Sequence, residues 1–386
     1  MMAAGVNEPG HELDAGTERA HEVPAHPPVA PLRNTWLALT HASRVKSHKP
    51  LRRAVYNTPI VVWRGANGEL AAMEDRCPHR RAPLSAGKVV EGELQCAYHG
   101  WTYDTRGACV RIPSLGPGAE PGKGIRVRTY PTLERYGFVW IWWGDAGAAD
   151  PALVPDIPFI DPQKPKAFET RLQYDCAPDL LVENVLDLTH LDFVHGGLLG
   201  DPYGGAEEVT CTHTSEVLTM QRRSEGRRPP LVQAALFGFP KRQDYVGTSR
   251  IYLRSNLIVS GVSWDPPGWG QFVVMSNIPE TTNRIRNEVS LVVFAPAWYR
   301  KLAELASGVV ARQDNSILKL QHPAYHELGH LSGDRADVSV AGDKASLRYR
   351  ALRRDLLERQ ARGDFAYAEG WHRLSGAETQ HFPRVW

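Results

Sequence analysis

Apolar and polar positions divide the chain into three stretches. Residues 1 to about 34 carry Glu8, Glu12, Asp14, Glu18 and Glu22, prolines at 9, 24, 27, 28 and 31, and few large apolar side chains. Such a stretch cannot bury enough apolar surface to offset its ordering entropy, and it predicts a flexible tail. His11, His21 and His26 fall there and read as solvated. From Trp36 the text turns to short strands. Arg53 to Asp75 is rich in β-branched and aromatic residues, most densely over Ala54 to Trp63, with a hairpin signal at Asn67-Gly68. A second hairpin is expected from Gln95 to Tyr103, turning at Asp104 to Gly107 and returning over Ala108 to Ile112. The run Tyr136 to Trp143 predicts a last strand, giving an all-β unit over 35–146, with Asp145 to Pro151 as linker.

The remainder, 150–386, mixes periods. Leu181, Val185, Leu188 and Leu191 recur at helical spacing, which predicts one helix from Pro178 to Val194 ended by Gly196-Gly197. Strand-like runs follow at Ser249 to Ser260, Gln271 to Asn277 and Asn287 to Phe294. Trp298 to about Gln321 predicts a second helix with Leu302, Leu305, Val309, Ile317 and Leu320 as its apolar side. Asp343 to Arg362 predicts a third, apolar at Leu347, Ala351, Leu352 and Leu356. Arg222-Arg223 and Arg227 to Pro230 read as an exposed loop. The class is therefore α+β: an all-β unit followed by a domain of helices and antiparallel strands.

Composition narrows the function. The chain of 386 residues has 42% hydrophobic and 23% charged residues, ordinary for a globular protein. With 45 basic and 43 acidic side chains it has no global field for nucleic acid or an anionic membrane. No apolar run approaches the roughly 20 residues of a membrane helix, and Met1 to Gly10 lacks the apolar core of a signal peptide. Five cysteines argue against a disulfide framework and for a reducing compartment, so the expected place is the cytoplasm. Neither a dinucleotide fingerprint nor a phosphate-binding loop is present; Gly116-Pro-Gly118 and Gly122-Lys-Gly124 read as turns.

The strongest signal is Cys77-Pro78-His79 followed by Cys96-Ala97-Tyr98-His99. Each half offers one thiolate and one imidazole. Two such loops can hold one iron of a [2Fe–2S] cluster with two cysteines and the other with two histidines, an arrangement that raises the potential above that of an all-cysteine cluster. A tetrahedral Cys2His2 zinc is the competing reading, although zinc motifs usually pair like with like. Cys109, Cys176 and Cys211 have no partner spacing and read as free thiols.

The stretches Cys77-Pro-His-Arg-Arg81 and Cys96-Ala-Tyr-His-Gly-Trp101 resemble the Rieske domain of non-haem iron oxygenases. By that resemblance Cys77 and Cys96 bind one iron and His79 and His99 the other. A second motif lies in the later domain: Asn184, Asp187 and His190 at intervals of three, with His195 five residues on. On one helix the first three share a face. His195 falls about 140° away, so it reaches the same metal only if the helix ends or bends near 193–196. Two histidines at a helix end and a carboxylate from elsewhere would form the facial triad of Fe(II) oxygenases, with open positions for O2 and substrate. The segment resembles the family's iron motif. The family takes its carboxylate from a later helix; Asp314 in Gln313-Asp-Asn-Ser-Ile-Leu318 is the candidate, with Glu304 and Glu327 as alternatives.

The resemblance implies an α+β, helix-grip-like catalytic domain after the Rieske domain, with a [2Fe–2S] cluster and a mononuclear Fe(II) as cofactors. It implies that the Asp187 carboxylate bridges His190 to His99 of a neighbouring subunit in a head-to-tail homotrimer; the alternative is local orientation of His190. Asn184 belongs to the same motif. NAD(P)H would contribute only indirectly, through a flavin reductase or ferredoxin. Arg80 and Arg81 could dock an acidic carrier, or be plain solvated side chains. The implied activity is that of a terminal oxygenase acting on an aromatic or heteroaromatic small molecule by monooxygenation, demethylation or N-oxidation. Oxidative cyclisation or C–H hydroxylation in secondary metabolism is an alternative, and electron transfer without catalysis another. The sequence is similar to the O-demethylase and aminopyrrolnitrin-oxygenase group.

Overall fold

The computed structural model describes residues 31–157, 167–196, 207–228, 241–265, 269–294, 297–328, 341–368 and 370. The N-terminal unit is built of ten strands: β1 (Thr35–His41), β2 (Leu51–Val55), β3 (Thr58–Arg64), β4 (Leu70–Glu74), β5 (Lys88–Val90), β6 (Glu93–Gln95), β7 (Thr102–Tyr103), β8 (Cys109–Arg111), β9 (Thr132–Arg135) and β10 (Phe138–Trp143). They form three antiparallel sheets ordered β1-β10-β9, β2-β3-β4 and β5-β6-β7-β8. The run Ala54 to Trp63 is two strands rather than one. Tyr56 and Asn57 both adopt positive φ, 46° and 63°, and turn β2 into β3.

The second unit holds a seven-stranded antiparallel sheet of β11 (Ala167–Tyr174), β12 (Glu207–His213), β13 (Val217–Arg227), β14 (Gln243–Tyr252), β15 (Leu257–Asp265), β16 (Trp269–Thr281) and β17 (Arg284–Phe294). Its order is β11-β17-β16-β15-β14-β13-β12. The run Ser249 to Ser260 is again two strands, β14 and β15, turned over Leu253 to Asn256. The helices are α1 (Pro178–Leu186), the single turn α2 (Leu191–Val194), α3 (Ala297–Leu328) and α4 (Lys344–Ala361).

Alternation of side chains sets the layers. On β10, Phe138, Trp140 and Trp142 pack with Tyr252, Leu257, Val259, Phe272 and Val274 of the large sheet. Val139 and Ile141 face the other way, onto Val55, Ile60 and Val62. The large sheet divides likewise: Leu218, Met220, Ile251 and Ile258 face Val182 and Leu186 of α1 and Ala345, Tyr349 and Leu356 of α4. The β-unit thus covers one face of the sheet and the helices the other. Backbone bonds from Tyr56 N to Pro279 O (2.7 Å) and from Asn57 N to Glu280 O (2.8 Å) lace the two units together.

Several expectations change here. Residues 31–34 are not tail: Leu32 is buried in the helix-side core, and Gln360 of α4 accepts from Arg33 N and donates to Pro31 O. Residues 1–30, with their three histidines, lie outside the described residues. The Arg222 to Arg227 region is no exposed loop but part of β13, with both arginines buried. On α3 the expected apolar side faces outward, Leu305, Ile317 and Leu320 being exposed, while Ala311, Asp314 and Leu318 are buried. On α4 Leu347 and Ala351 are exposed, and Ala345, Tyr349, Arg353 and Leu356 form the buried face. The polar members of that face are tied to α1. Tyr349 Oη and Arg353 Nε donate to Asp179 Oδ1 at 2.6 and 2.8 Å. Arg350 makes a two-pronged pair with Glu183. Charge partners, rather than hydrophobicity alone, select which face of each helix is buried.

Candidate metal centres

The cysteine–histidine pairs sit on two loops of the same construction. In the first, Cys77 N donates to Ala82 O, Arg81 N donates to Cys77 O, and Arg81 has φ of 57°. In the second, Cys96 N donates to Trp101 O, Gly100 N donates to Cys96 O, and Gly100 has φ of 71°. Each loop therefore turns through a left-handed residue four places after its cysteine. The loops bring the His79 and His99 rings to 4.6 Å between centroids. Trp101 lies flat on His79, 4.6 Å away and 5° from parallel, which gives Gly100-Trp101 a physical role. Both cysteines are buried and His99 is exposed. Burial, with His99 and Arg80 nearby, holds the His79 imidazole below its ordinary value, which favours the neutral, ligating form. Burial pushes the Cys96 thiol up, and the neighbouring Cys77 adds to it. His79 Nδ1 is buried with no hydrogen-bond partner among the described residues. Two buried thiols in the raised range and an orphaned imidazole nitrogen fit a cationic [2Fe–2S] centre, which supplies the missing charge. Tyr103 Oη is 3.1 Å from Cys77 Sγ. Burial and that contact raise the phenol, so it keeps its proton and can donate it to a thiolate.

The second cluster gathers on the helix side of the sheet. His190, His195 and Asp314 bring one ligand atom each to within 4.8 Å of one another. His195 Nε2 is 3.0 Å and His190 Nε2 3.4 Å from Asp314 Oδ1. His195 is fully buried and its Nε2 has no aligned hydrogen-bond partner among the described residues, as befits an atom aimed at an ion. Its other nitrogen, Nδ1, is 3.0 Å from Gln313 Oε1, an acceptor that puts the proton on Nδ1 and leaves the Nε2 lone pair to a metal. Burial opposes the charged form of Asp314, but hydrogen bonds from the two imidazoles outweigh it and hold the carboxylate below its ordinary value. Burial lowers His195, and the Asp314 carboxylate reverses this to a net rise. These shifts show a pocket that attracts positive charge. Two imidazoles and one carboxylate are the donor set of a facial-triad iron.

The local backbone differs from the expected single helix. α1 ends at Leu186, because Asp187 leaves helical geometry (φ −92°, ψ 83°). The Asp187 carboxylate caps the following turn, its Oδ1 accepting from Thr189 N at 3.0 Å and from Thr189 Oγ1. A 3-10 turn, Leu188–His190, then runs into α2. The bend expected near 193–196 therefore occurs at 187, and Asn184, Asp187 and His190 do not share a helical face. His190 Nδ1 meets the main-chain carbonyl of Asp187, not its carboxylate. Asn184 Nδ2 lies 3.5 Å from Asp314 Oδ1, at the outer limit of a hydrogen bond. Glu304 and Glu327 are on α3, but their side chains lie outside the described residues, as does Gly197.

The strand beneath completes the site. Gly247 on β14 leaves room for Leu188: a Cβ there would stand 3.2 Å from Leu188 Cδ1 and 2.7 Å from the Tyr245 hydroxyl. Arg222 donates to Asp192 Oδ2 at 2.9 Å and also to Leu188 O, and Arg227 donates to Asp192 Oδ1. Sequence reading missed Gln313, Tyr103 and this arginine pair. Gln313 could have been found from its place beside Asp314; nothing local links Arg222 to a histidine 32 residues earlier.

Comparison with known proteins agrees with both halves. Residues 35–131 match the family described as Rieske [2Fe-2S] domain, and residues 174–359 match the vanillate O-demethylase oxygenase C-terminal domain. The oxygenase component of dicamba O-demethylase from Stenotrophomonas maltophilia is 43% identical over 168 residues, 42% of this chain and 48% of that protein. A vanillate O-demethylase oxygenase subunit from Pseudomonas sp. is 37% identical over 186 residues, 48% of this chain and 55% of that protein. The chain thus aligns with about half the length of these curated relatives. Over the fold the likeness extends further: dicamba monooxygenase bound to 3,6-dichlorosalicylic acid superposes with a TM-score of 0.76 at 27% identity, covering 86% of this chain and 98% of that one. Carrying the two domains in this order on one polypeptide, the chain belongs to the Rieske non-haem iron oxygenases.

Proposed function

We propose that this chain is the terminal oxygenase of a multicomponent system. It would use O2 and two electrons from a ferredoxin or flavin reductase to oxidise an aromatic small molecule, by demethylation or related monooxygenation. NAD(P)H would enter only through the reductase. The observation that carries this reading is the convergence of His190, His195 and Asp314 in the same chain as the paired Cys77/His79 and Cys96/His99 loops. A chain that only carried electrons would have no use for the second donor set. Free thiols throughout and the absence, among the described residues, of any helix long and apolar enough to cross a membrane support a cytoplasmic place.

Bound at these positions, the cluster supplies electrons and the mononuclear iron supplies an open coordination face for O2. The side chains do the rest. Gln313 keeps the proton of His195 on Nδ1, and the Asp187 carbonyl does the same for His190. Asp314 gives the site its negative charge, and Asn184 stands beside it. The Asp187 carboxylate is half-buried and held, among the described residues, by Thr189 alone. That leaves acceptor capacity for a donor from another subunit, which supports the relay to His99 of a neighbour in a homotrimer. Exposed His99 and exposed Phe193, two residues before His195, suit such a contact.

The test uses purified protein with a reductase and a panel of methoxylated and sulfonated aromatic acids. Substrate-stimulated oxygen uptake coupled to product is expected, and Asp314→Asn should abolish it while keeping the cluster spectrum. Equal product formation by wild type and Asp314→Asn would refute the reading. For the relay, Asp187→Asn should keep both metals and the oligomer yet slow cluster oxidation in a single turnover; an unchanged rate would make Asp187 a local capping residue only.

A further inference from the structure

We propose that Arg222 and Arg227 are positioning residues for the mononuclear metal, acting through Asp192 to set where His190 stands relative to His195 and Asp314. The proposal rests on the reading of these three side chains as a metal site. Asp192 lies between the two histidines in sequence, on the single turn α2. A turn this short has no intrinsic stability and must be held from outside. Both carboxylate oxygens are engaged from β13: Oδ2 by Arg222 Nη2 at 2.9 Å and Oδ1 by Arg227 Nη2. Arg222 Nη1 also donates to the Leu188 carbonyl, so one guanidinium spans the 3-10 turn bearing His190 and the residue that follows it. The two arginines are 2% exposed each, and the Arg227 guanidinium lies over the Tyr245 ring at 5.2 Å. Tyr245 in turn packs against Trp264 on the next strand. The clamp is therefore anchored in the rigid sheet, while the histidines it orders sit where the helix has broken.

Lysine cannot replace either arginine, because one ammonium cannot bridge a carboxylate and a carbonyl in the fixed fork of a guanidinium. The test titrates Co2+ alone, by competition with a chromophoric chelator, into protein with its iron–sulfur cluster intact and its mononuclear metal removed. Arg222→Lys, Arg227→Lys and Asp192→Asn should each weaken Co2+ binding by about 10–100-fold, the usual consequence of losing a group that orients a metal ligand. Arg254→Lys is the stability control. It disturbs a buried pair with Glu216 elsewhere in the sheet, so it should lower the melting temperature and leave Co2+ affinity within twofold. Should an arginine variant fail to fold, Asp192→Asn decides, since it keeps the side-chain volume. Co2+ affinity within twofold of wild type in the folded variants overturns the clamp, as does an equal loss in Arg254→Lys. His190→Ala separates the two levels: wild-type affinity in that variant would overturn the metal site itself, whereas its loss beside unchanged Asp192→Asn would overturn only the clamp.

Discussion

Replacing Glu288 by Gln should loosen the junction of the two units. Glu288 on β17 is fully buried and faces the β-unit. Its Oε2 is 2.9 Å from His41 Nδ1, and its Oε1 is 3.3 Å from Thr40 Oγ1 and 3.5 Å from Arg53 Nη2. Arg44 Nε stands 3.7 Å away. Arg53 is itself buried, and burial draws its guanidinium down to about 10 against the opposing pull of Glu288. Glutamine preserves the shape but removes the one anion, leaving a buried cation uncompensated, a loss of about 3–5 kcal/mol. At 2–4 °C per kcal/mol for a domain of this size, the melting temperature should fall by about 6–20 °C. Acid provides a second reading. Burial raises the Glu288 carboxyl, but the His41 hydrogen bond and the Arg53 charge outweigh it, and the group is held below its ordinary 4.5. Its contribution is therefore present above pH 4.5 and is lost as pH falls through the depressed folded value. Thermal melts of wild type and Glu288→Gln from pH 7 downward should converge as the acid transition is approached. A melting temperature within 2 °C of wild type at pH 7, or a gap that widens in acid, would refute this reasoning.

Tyr103→Phe should lower the reduction potential of the cluster while leaving its absorption bands in place. The phenol 3.1 Å from Cys77 Sγ can donate to the sulfur and so favour the more negative, reduced state; protein-film voltammetry reads the shift directly. Gln313→Leu should weaken Co2+ or Fe2+ binding by about 10–100-fold, because His195 loses the acceptor that fixes its tautomer. Isothermal titration on the metal-stripped protein checks it, with the cluster spectrum as the control for folding.

What could be read from the chain was what is local. The four cluster residues lie within 23 positions, and spacing alone announces their chemistry. His190 and His195 were equally legible. The break that lets them converge was misplaced by several residues, although Asp187-Leu-Thr189 is an N-cap signal inside an apolar period. The apolar period prevailed in the reading because Leu188 and Leu191 do pack against the helix-side core after the break. The faces of α3 and α4 were not legible. Asp314 and Arg353 are buried because partners distant in sequence neutralise them, and a hydropathy pattern carries no trace of such partners. The same holds for Arg222 and Arg227, whose polar text suggested a loop, and for Glu288, which joins domains 247 residues apart at His41. Strand pairs joined by non-glycine turns, as at Tyr56-Asn57, were merged for want of a glycine signal.

The most direct measurement is iron and acid-labile sulfide analysis of purified wild type and His190→Ala, paired with the electron paramagnetic resonance spectrum of each after reduction. Wild type should carry two irons and two sulfides in a cluster of mixed cysteine and histidine ligation, and one further iron. His190→Ala should lose that third iron and all oxygenase turnover while its reduced-cluster signal stays unchanged. Zinc without labile sulfide in the wild type, or an undiminished third iron in His190→Ala, would contradict the assignment of the two centres.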